Sequence, residues 1–226
     1  MKNLFLLSLI VLLTLFISPL NAQVQLGLQA GTNLGDVSLD PAPEGVTTGM
    51  RAGIMFGGIL FYSFSPIFGL QVEPAYVQKG ATVDISLIEQ GNTVIQEGTL
   101  SGDYLDIPLL LKASFGDGPV KPYLLAGASI AFLLGDAMLE LDKYTINGED
   151  VTGLIPSDER EDTVKTKSTD FILNFGGGVI IPLGKVNIFI EGQYNLGLTD
   201  VNDEPNDVMK IKTKGIQIKA GVLFPL

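Results

Sequence analysis

The chain contains no cysteine, no histidine and no tryptophan among its 226 residues. Without cysteine there is no disulfide, no thiolate nucleophile and no acylated N-terminal Cys. Without Cys and His together there is neither an imidazole base nor a Cys/His zinc site. Cations are scarce as well: 14 Lys and Arg stand against 25 Asp and Glu, a net charge of −11. That balance excludes nucleic acid as a partner, because phosphate recognition needs clustered Lys and Arg. Long apolar runs are also lacking. Only residues 4–17 form one, broken by Ser8 and Thr14, and it is short of the ~20 residues a spanning helix needs.

That stretch has a different signature. Lys2 precedes it, Pro19 breaks it, and the small Ala22 stands just before Gln23. This is the pattern of a secretory signal peptide. The expectation is export with cleavage between Ala22 and Gln23, leaving residues 1–22 as the signal and 23–226 as one mature domain. Loss of Lys2 takes the mature net charge to −12.

What remains is both acidic and greasy: 46% hydrophobic residues, mean hydropathy +0.36 and 27 glycines. Such a chain must separate these properties in space, and its dominant period is two. Val186, Ile188, Ile190, Tyr194 and Leu196 alternate with Asn187, Phe189, Glu191, Gln193 and Asn195. Ile216, Ile218, Ala220, Val222 and Phe224 alternate with Gln217, Lys219, Gly221 and Leu223. Leu105, Ile107, Leu109 and Leu111 alternate with Asp106, Pro108, Leu110 and Lys112. Similar alternation marks 24–31 and 70–77. A period of two is a strand signal.

With three Gly-broken apolar segments, strands are expected at 24–34, 48–61, 67–79, 99–114, 120–134, 169–181, 185–198 and 211–225. The connections alternate between tight and long. Short Pro- and Gly-containing turns follow the second, fourth and sixth strands; long polar connections (35–47, 80–98, 135–168, 199–210) follow the others. The long ones hold 19 of the 25 acids. This layout predicts an all-β, eight-stranded antiparallel up-and-down transmembrane β-barrel, with short periplasmic turns and long acidic extracellular loops. Closure removes the sheet edges that lipid could not satisfy. A strand of about 10 residues, tilted near 40°, spans the ~25 Å apolar band of an outer membrane.

Six charges fall on the polar phase of these strands: Arg51, Glu73, Asp106, Lys112, Glu191 and Lys219. Facing lipid at the midplane, an Arg or Lys costs roughly 2–4 kcal/mol, so all six are expected in the lumen, where their charges sum to zero. The interior of so small a barrel is filled by side chains. A buried network of these charges with Gln71, Gln193 and Asn174 is therefore expected to plug it; the other reading is a narrow polar path or gate. Gly27, Gly31, Gly53, Gly57, Gly127, Gly176 and Gly178 share the inward phase and make room for large side chains. Phe61, Tyr62, Phe64, Phe68, Phe115 and Tyr123 flank two tight turns and read as a periplasmic aromatic girdle.

Other signals are weak. Gly176-Gly177-Gly178 lacks the helix and Lys-Ser/Thr pair of a phosphate loop. Asn147-Gly148 marks a hairpin turn. The run 158–162 (Asp-Glu-Arg-Glu-Asp) does not have the spacing of a calcium loop, and no apolar pocket supplies the raised carboxyl pKa that glycoside hydrolysis requires. No catalytic, cofactor-binding or metal-ligating set is expected, and no enzyme activity.

Several segments resemble a known family. Gly27-Leu28-Gln29-Ala30-Gly31-Thr32-Asn33-Leu34 opens the mature chain. Leu70-Gln71-Val72-Glu73-Pro74-Ala75-Tyr76-Val77-Gln78-Lys79-Gly80 and Tyr104-Leu105-Asp106-Ile107-Pro108-Leu109-Leu110-Leu111-Lys112 follow. Then come Gly176-Gly177-Gly178 and Glu191-Gly192-Gln193-Tyr194-Asn195-Leu196-Gly197-Leu198. In this order, across essentially all of 23–226, they resemble the PorT-type outer-membrane β-barrel ("porin family") proteins. The ending Phe224-Pro225-Leu226 departs from the usual terminal aromatic of the barrel assembly signal. The resemblance implies an integral protein of a Gram-negative-type outer membrane. One namesake of that family takes part in protein secretion. Expected partners are outer-membrane lipid, lipopolysaccharide and the barrel assembly machinery. Two functional readings stand: a closed structural or interaction barrel with acidic surface loops, or a conduit for small polar solutes or hydrophobic compounds. An accessory role in secretion is a further alternative.

Overall fold

A computed structural model describes residues 23–89, 91–204 and 208–226. The signal segment and Ala22 lie outside the described residues. Everything substantial within them is one antiparallel sheet of twelve strands. These are β1 (Gln23–Asp40), β2 (Val46–Ser63), β3 (Phe68–Val72), β4 (Ala75–Glu89), β5 (Asn92–Ser114) and β6 (Lys121–Leu133). They continue with β7 (Ala137–Ile146), β8 (Glu149–Asp150), β9 (Glu161–Val164), β10 (Thr169–Leu183), β11 (Val186–Gly197) and β12 (Lys210–Pro225).

The sheet closes on itself. β1 pairs with β2 on one side and with β12 on the other, from Gln25↔Pro225 to Asp40↔Lys210. From β2 the ladder passes to β3 and β4, then β5, β6, β10, β11 and back to β12. Each of these strands therefore has both backbone edges hydrogen-bonded.

The alternation read from sequence becomes inside and outside. Leu105, Ile107, Leu109 and Leu111 are exposed on the outer face, while Tyr104, Asp106, Leu110 and Lys112 are buried. On β11, Ile190, Tyr194 and Leu196 face out while Phe189, Glu191, Gln193 and Asn195 are buried. Leu28, Ile54, Phe56, Leu124, Phe171, Phe175 and Ile218 extend the same outer apolar band around the ring. The greasy side of this molecule is its exterior, the reverse of a water-soluble domain.

Twelve strands rather than the eight read from sequence have two causes. The segment 67–79 splits into β3 and β4 at Glu73-Pro74. Pro74 has no N–H to give, its carbonyl instead accepts from Gly58 N at 2.9 Å, and Glu73 N donates to Pro108 O at 3.2 Å. The long connections are also not loops throughout. β4 and β5 run on as a ladder to Glu89↔Asn92. β7 adds to the upper half of β5, and β8 and β9 add to β7. β5 has 23 residues, about 75 Å of strand at ~3.3 Å each. That is far more than the apolar band requires, so a small sheet continues beyond one end of the ring. The turn at Asn147-Gly148 joins β7 to β8 with φ of 51° and 85°, the left-handed conformation such two-residue hairpins require.

Candidate functional site

The end of the lumen nearest the tight turns is apolar. Ile59, Phe61, Phe189 and Leu223 pack together with Ile180, and Leu110, Tyr123 and Leu125 pack beside them. Two aromatics assigned to the girdle from sequence thus point inward: Phe61 and Tyr123 are buried, while Phe68 and Phe115 do lie on the outside. Tight turns gather aromatics on both faces of a strand, and the turn alone does not say which phase is which. Gly178 makes the space for Tyr123. A Cβ there would stand 2.6 Å from the Tyr123 hydroxyl oxygen and 2.3 Å from Ile190 O.

Against this floor sits an ionic cluster. Glu73, Lys112, Glu191 and Lys219 come from the β3–β4 junction, β5, β11 and β12 respectively, and each is at most 2% exposed. Lys219 pairs with the carboxylates of both Glu73 and Glu191, the latter at 2.9 Å. The Tyr123 hydroxyl donates to Glu191 Oε2 at 2.7 Å, and Gln193 Nε2 donates to Glu191 Oε1 at 2.7 Å and Glu73 Oε2 at 3.3 Å. Lys112 reaches Glu73 through an intermediary: its Nζ donates to Gln71 Oε1 at 2.9 Å, and Gln71 Nε2 donates to Glu73 Oε1. The same Nζ lies 3.9 Å from the Tyr123 ring centroid and 4.9 Å from that of Phe61, within cation–π range. Two carboxylates and two ammonium groups leave this level formally neutral. Buried charges are tolerated only when paired and hydrogen-bonded in this way.

Two of the six residues do not join that cluster. Asp106 is buried but pairs with Lys79, 3.5 Å away, at a higher level of the lumen. Arg51 is half-buried, and among the described residues no ion pair within 4 Å reaches it. It lies where the β2–β4 register shifts, between Met50 and Met55, and a shifted register moves a side chain away from the neighbours that alternation assigns it. Asn174, expected in the network, instead accepts from Asn195 Nδ2.

The upper level contains residues that the sequence reading passed over. Lys79 stands 5.0 Å from the Tyr104 ring centroid. Asp170, fully buried, accepts from the Thr213 hydroxyl. Both lie in the inward phase, Lys79 on the Gln71–Glu73–Val77 face and Asp170 on the Ile172–Asn174 face, and extending each pattern by one step finds them. Above them a cavity of about 60 Å³ opens toward the long connections, bordered by Asn33, Lys79, Tyr104, Asn195, Thr213 and Gln217 among others.

The long connections are ordered by their own polar groups. Asp200 Oδ1 accepts from Ile211 N at 3.0 Å and Asn202 N at 3.2 Å, and these backbone donors hold its carboxyl below the usual carboxylate range. The Arg160 guanidinium folds onto the carbonyls of Thr152 and Ile155. The acidic run beside it is divided between a single 3-10 turn, Ser157–Glu159, and β9. Among the described residues no three acidic side chains gather to hold a metal ion.

A closed antiparallel ring that is apolar outside and ionic inside defines an outer-membrane β-barrel. The chain belongs to the outer membrane protein beta-barrel domain family, whose family model matches residues 19–203. Among solved structures it is similar to Neisserial surface protein A, at 18% identity and TM-score 0.45, covering 88% of this chain and 96% of that one. It is also similar to Ail, the attachment invasion locus protein of Yersinia pestis, at 14% identity and TM-score 0.40, covering 89% and 99%. The N-terminal barrel domain of Pseudomonas aeruginosa OprF matches at 12% identity and TM-score 0.36, covering 91% and 100%. A comparison with curated proteins finds no match.

Proposed function

We propose that this protein is a closed barrel of eight transmembrane staves, PorT-type in its sequence, that serves as a structural or interaction element of the outer membrane. It presents its acidic connections and the β4–β5–β7–β9 sheet to the cell exterior and keeps its tight turns in the periplasm. The observation carrying this reading is Lys219, buried between Glu73 and Glu191 and roofing an apolar floor. An ion entering that level would have to displace a neutral, hydrogen-bonded cluster and then pass Phe61, Phe189 and Leu223. The exposed surfaces left for recognition are lipopolysaccharide-facing walls and acidic loops. A secretion partner would meet the same loops.

The test is single-channel recording of the mature protein in planar bilayers. The expected result is no stable opening above background at physiological salt. Regular openings in the wild type would replace this reading with a conduit. Export is part of the same proposal. The protein recovered from outer membranes is expected to begin at Gln23, measurable as an intact mass lacking residues 1–22; retention of Lys2 in the membrane-inserted protein would contradict it.

A further inference from the structure

The two levels of the lumen differ in charge. The lower one is neutral. The upper one holds Asp106 and Asp170 against Lys79 alone, a formal charge of −1 in a buried place. Uncompensated buried charge is costly, and native proteins pair it, protonate it or coordinate it.

Register places the two aspartates on either side of one strand. Asp106 on β5 and Asp170 on β10 are both partnered with the same residue of β6, Ala131, one from either side. Ala131 is fully buried, so the two carboxylates flank an inward methyl that takes up almost no space. One inward step along β6 is Ser129, placed between Pro108 and Ile172 of the same neighbouring strands.

The unpartnered atoms of this level are all oxygens. Asp106 Oδ1, Asp170 Oδ1, Ser129 Oγ and Asn195 Oδ1 are buried without a hydrogen-bond partner among the described residues. The other carboxylate oxygens are engaged, Asp106 Oδ2 by Lys79 and Asp170 Oδ2 by Thr213. Three of these oxygens can only accept and the Ser129 hydroxyl can turn a lone pair inward, and carboxylate, hydroxyl and amide oxygens are the ligands that hard cations prefer. The missing charge is a single unit, which one monovalent ion supplies and a divalent ion would overshoot. The cavity of about 60 Å³ on the side of the long connections is bordered by Lys79, which pairs with Asp106, and by Thr213, which donates to Asp170, and it has room for a few waters.

The geometry points to a monovalent cation site, for Na⁺ or K⁺, formed by Asp106, Asp170 and Ser129 beneath the outer cavity of the lumen. It neutralises the upper level as Lys112 and Lys219 neutralise the lower one, and it ties β5, β6 and β10 together. Because it lies above the ionic cluster, it does not depend on whether the barrel conducts.

The experiment uses the full mature chain folded in detergent micelles, at constant ionic strength, with N-methyl-D-glucamine chloride exchanged for NaCl. Because the ion binds the folded state, the folding equilibrium constant rises in proportion to one plus the ratio of the Na⁺ concentration to its Kd. The rise reaches about a hundredfold when Na⁺ stands at 100 times its Kd. Excess ²³Na line broadening, competed by K⁺, reports the ion directly. Asp170→Asn is expected to abolish both signals and Ser129→Ala to weaken both. Should Asp170→Asn fail to fold, the broadening lost between wild type and Ser129→Ala decides. Identical unfolding in the two salts overturns the proposal, as does a Na⁺ effect that survives Asp170→Asn unchanged. So does stabilisation that appears on lowering the pH without any cation dependence, which would mean that Asp106 and Asp170 share a proton instead.

Discussion

Replacing Lys219 with methionine is expected to destabilise the folded barrel by about 3–5 kcal/mol, the usual consequence of removing one partner from a buried ion pair. Lys219 is the shared counter-charge of Glu73 and Glu191. Without it, two carboxylates face each other in a region closed to water, with Lys112 reaching Glu73 only through Gln71. Stabilities of folded domains are about 5–15 kcal/mol, so the loss is a large fraction of the whole. The check is a urea titration read by the mobility difference between folded and heat-unfolded protein. Adding Glu191→Gln to Lys219→Met leaves Glu73 against Lys112 and returns the level to neutrality. The double variant should therefore recover much of the loss, a strong non-additivity between neighbours. A Lys219→Met cost below about 1 kcal/mol, in the range of a solvated surface pair, would mean that the cluster is not sealed from solvent.

The second large effect concerns the other face of the wall. Ile190 is 58% exposed on the outside of β11, between Val179 of β10 and Ala220 of β12. Ile190→Arg is expected to cost about 2–4 kcal/mol in lipid vesicles, where an arginine at mid-depth has no water. Leu198→Arg, also outward but just beyond the upper end of β11, is expected to cost about 0–1 kcal/mol, because near the interface the side chain reaches the headgroups. Comparing the two in vesicles by the same titration measures depth as well as facing. Equal costs would show that the apolar band is not where the membrane sits.

Much of the wall is legible in the amino-acid sequence. Period-two alternation needs only local stereochemistry, so the facing of Leu105 to Lys112 or of Ile190 to Asn195 follows once one residue of the strand is placed. The charges inside β5, β11 and β12 supplied that placement, because lipid leaves them one side to occupy. Polarity misled in the long connections. Residues 81–87 alternate Ala81, Val83, Ile85 and Leu87 with Thr82, Asp84 and Ser86, a strand pattern that β4 realises. Their acidic neighbours made the segment read as loop. Both faces of the projecting sheet tolerate polar residues, so composition there does not separate strand from turn.

The lumen shows the limit more sharply. That Glu73, Lys112, Glu191 and Lys219 face inward is a local matter, but that they meet depends on how far each strand is displaced along its neighbours. The break at Glu73-Pro74 and the register shift between Met50 and Met55 alter that displacement. Neither leaves a mark in the hydrophobic pattern. Asp106 consequently finds Lys79 instead of the cluster, Arg51 stands apart, and Tyr123 turns inward over Gly178 to bond Glu191. Alternation along the chain thus determined which side chains share the interior. Only closure of the ring, which sets the strand stagger through hydrogen bonds between residues far apart in sequence, decided which of them touch.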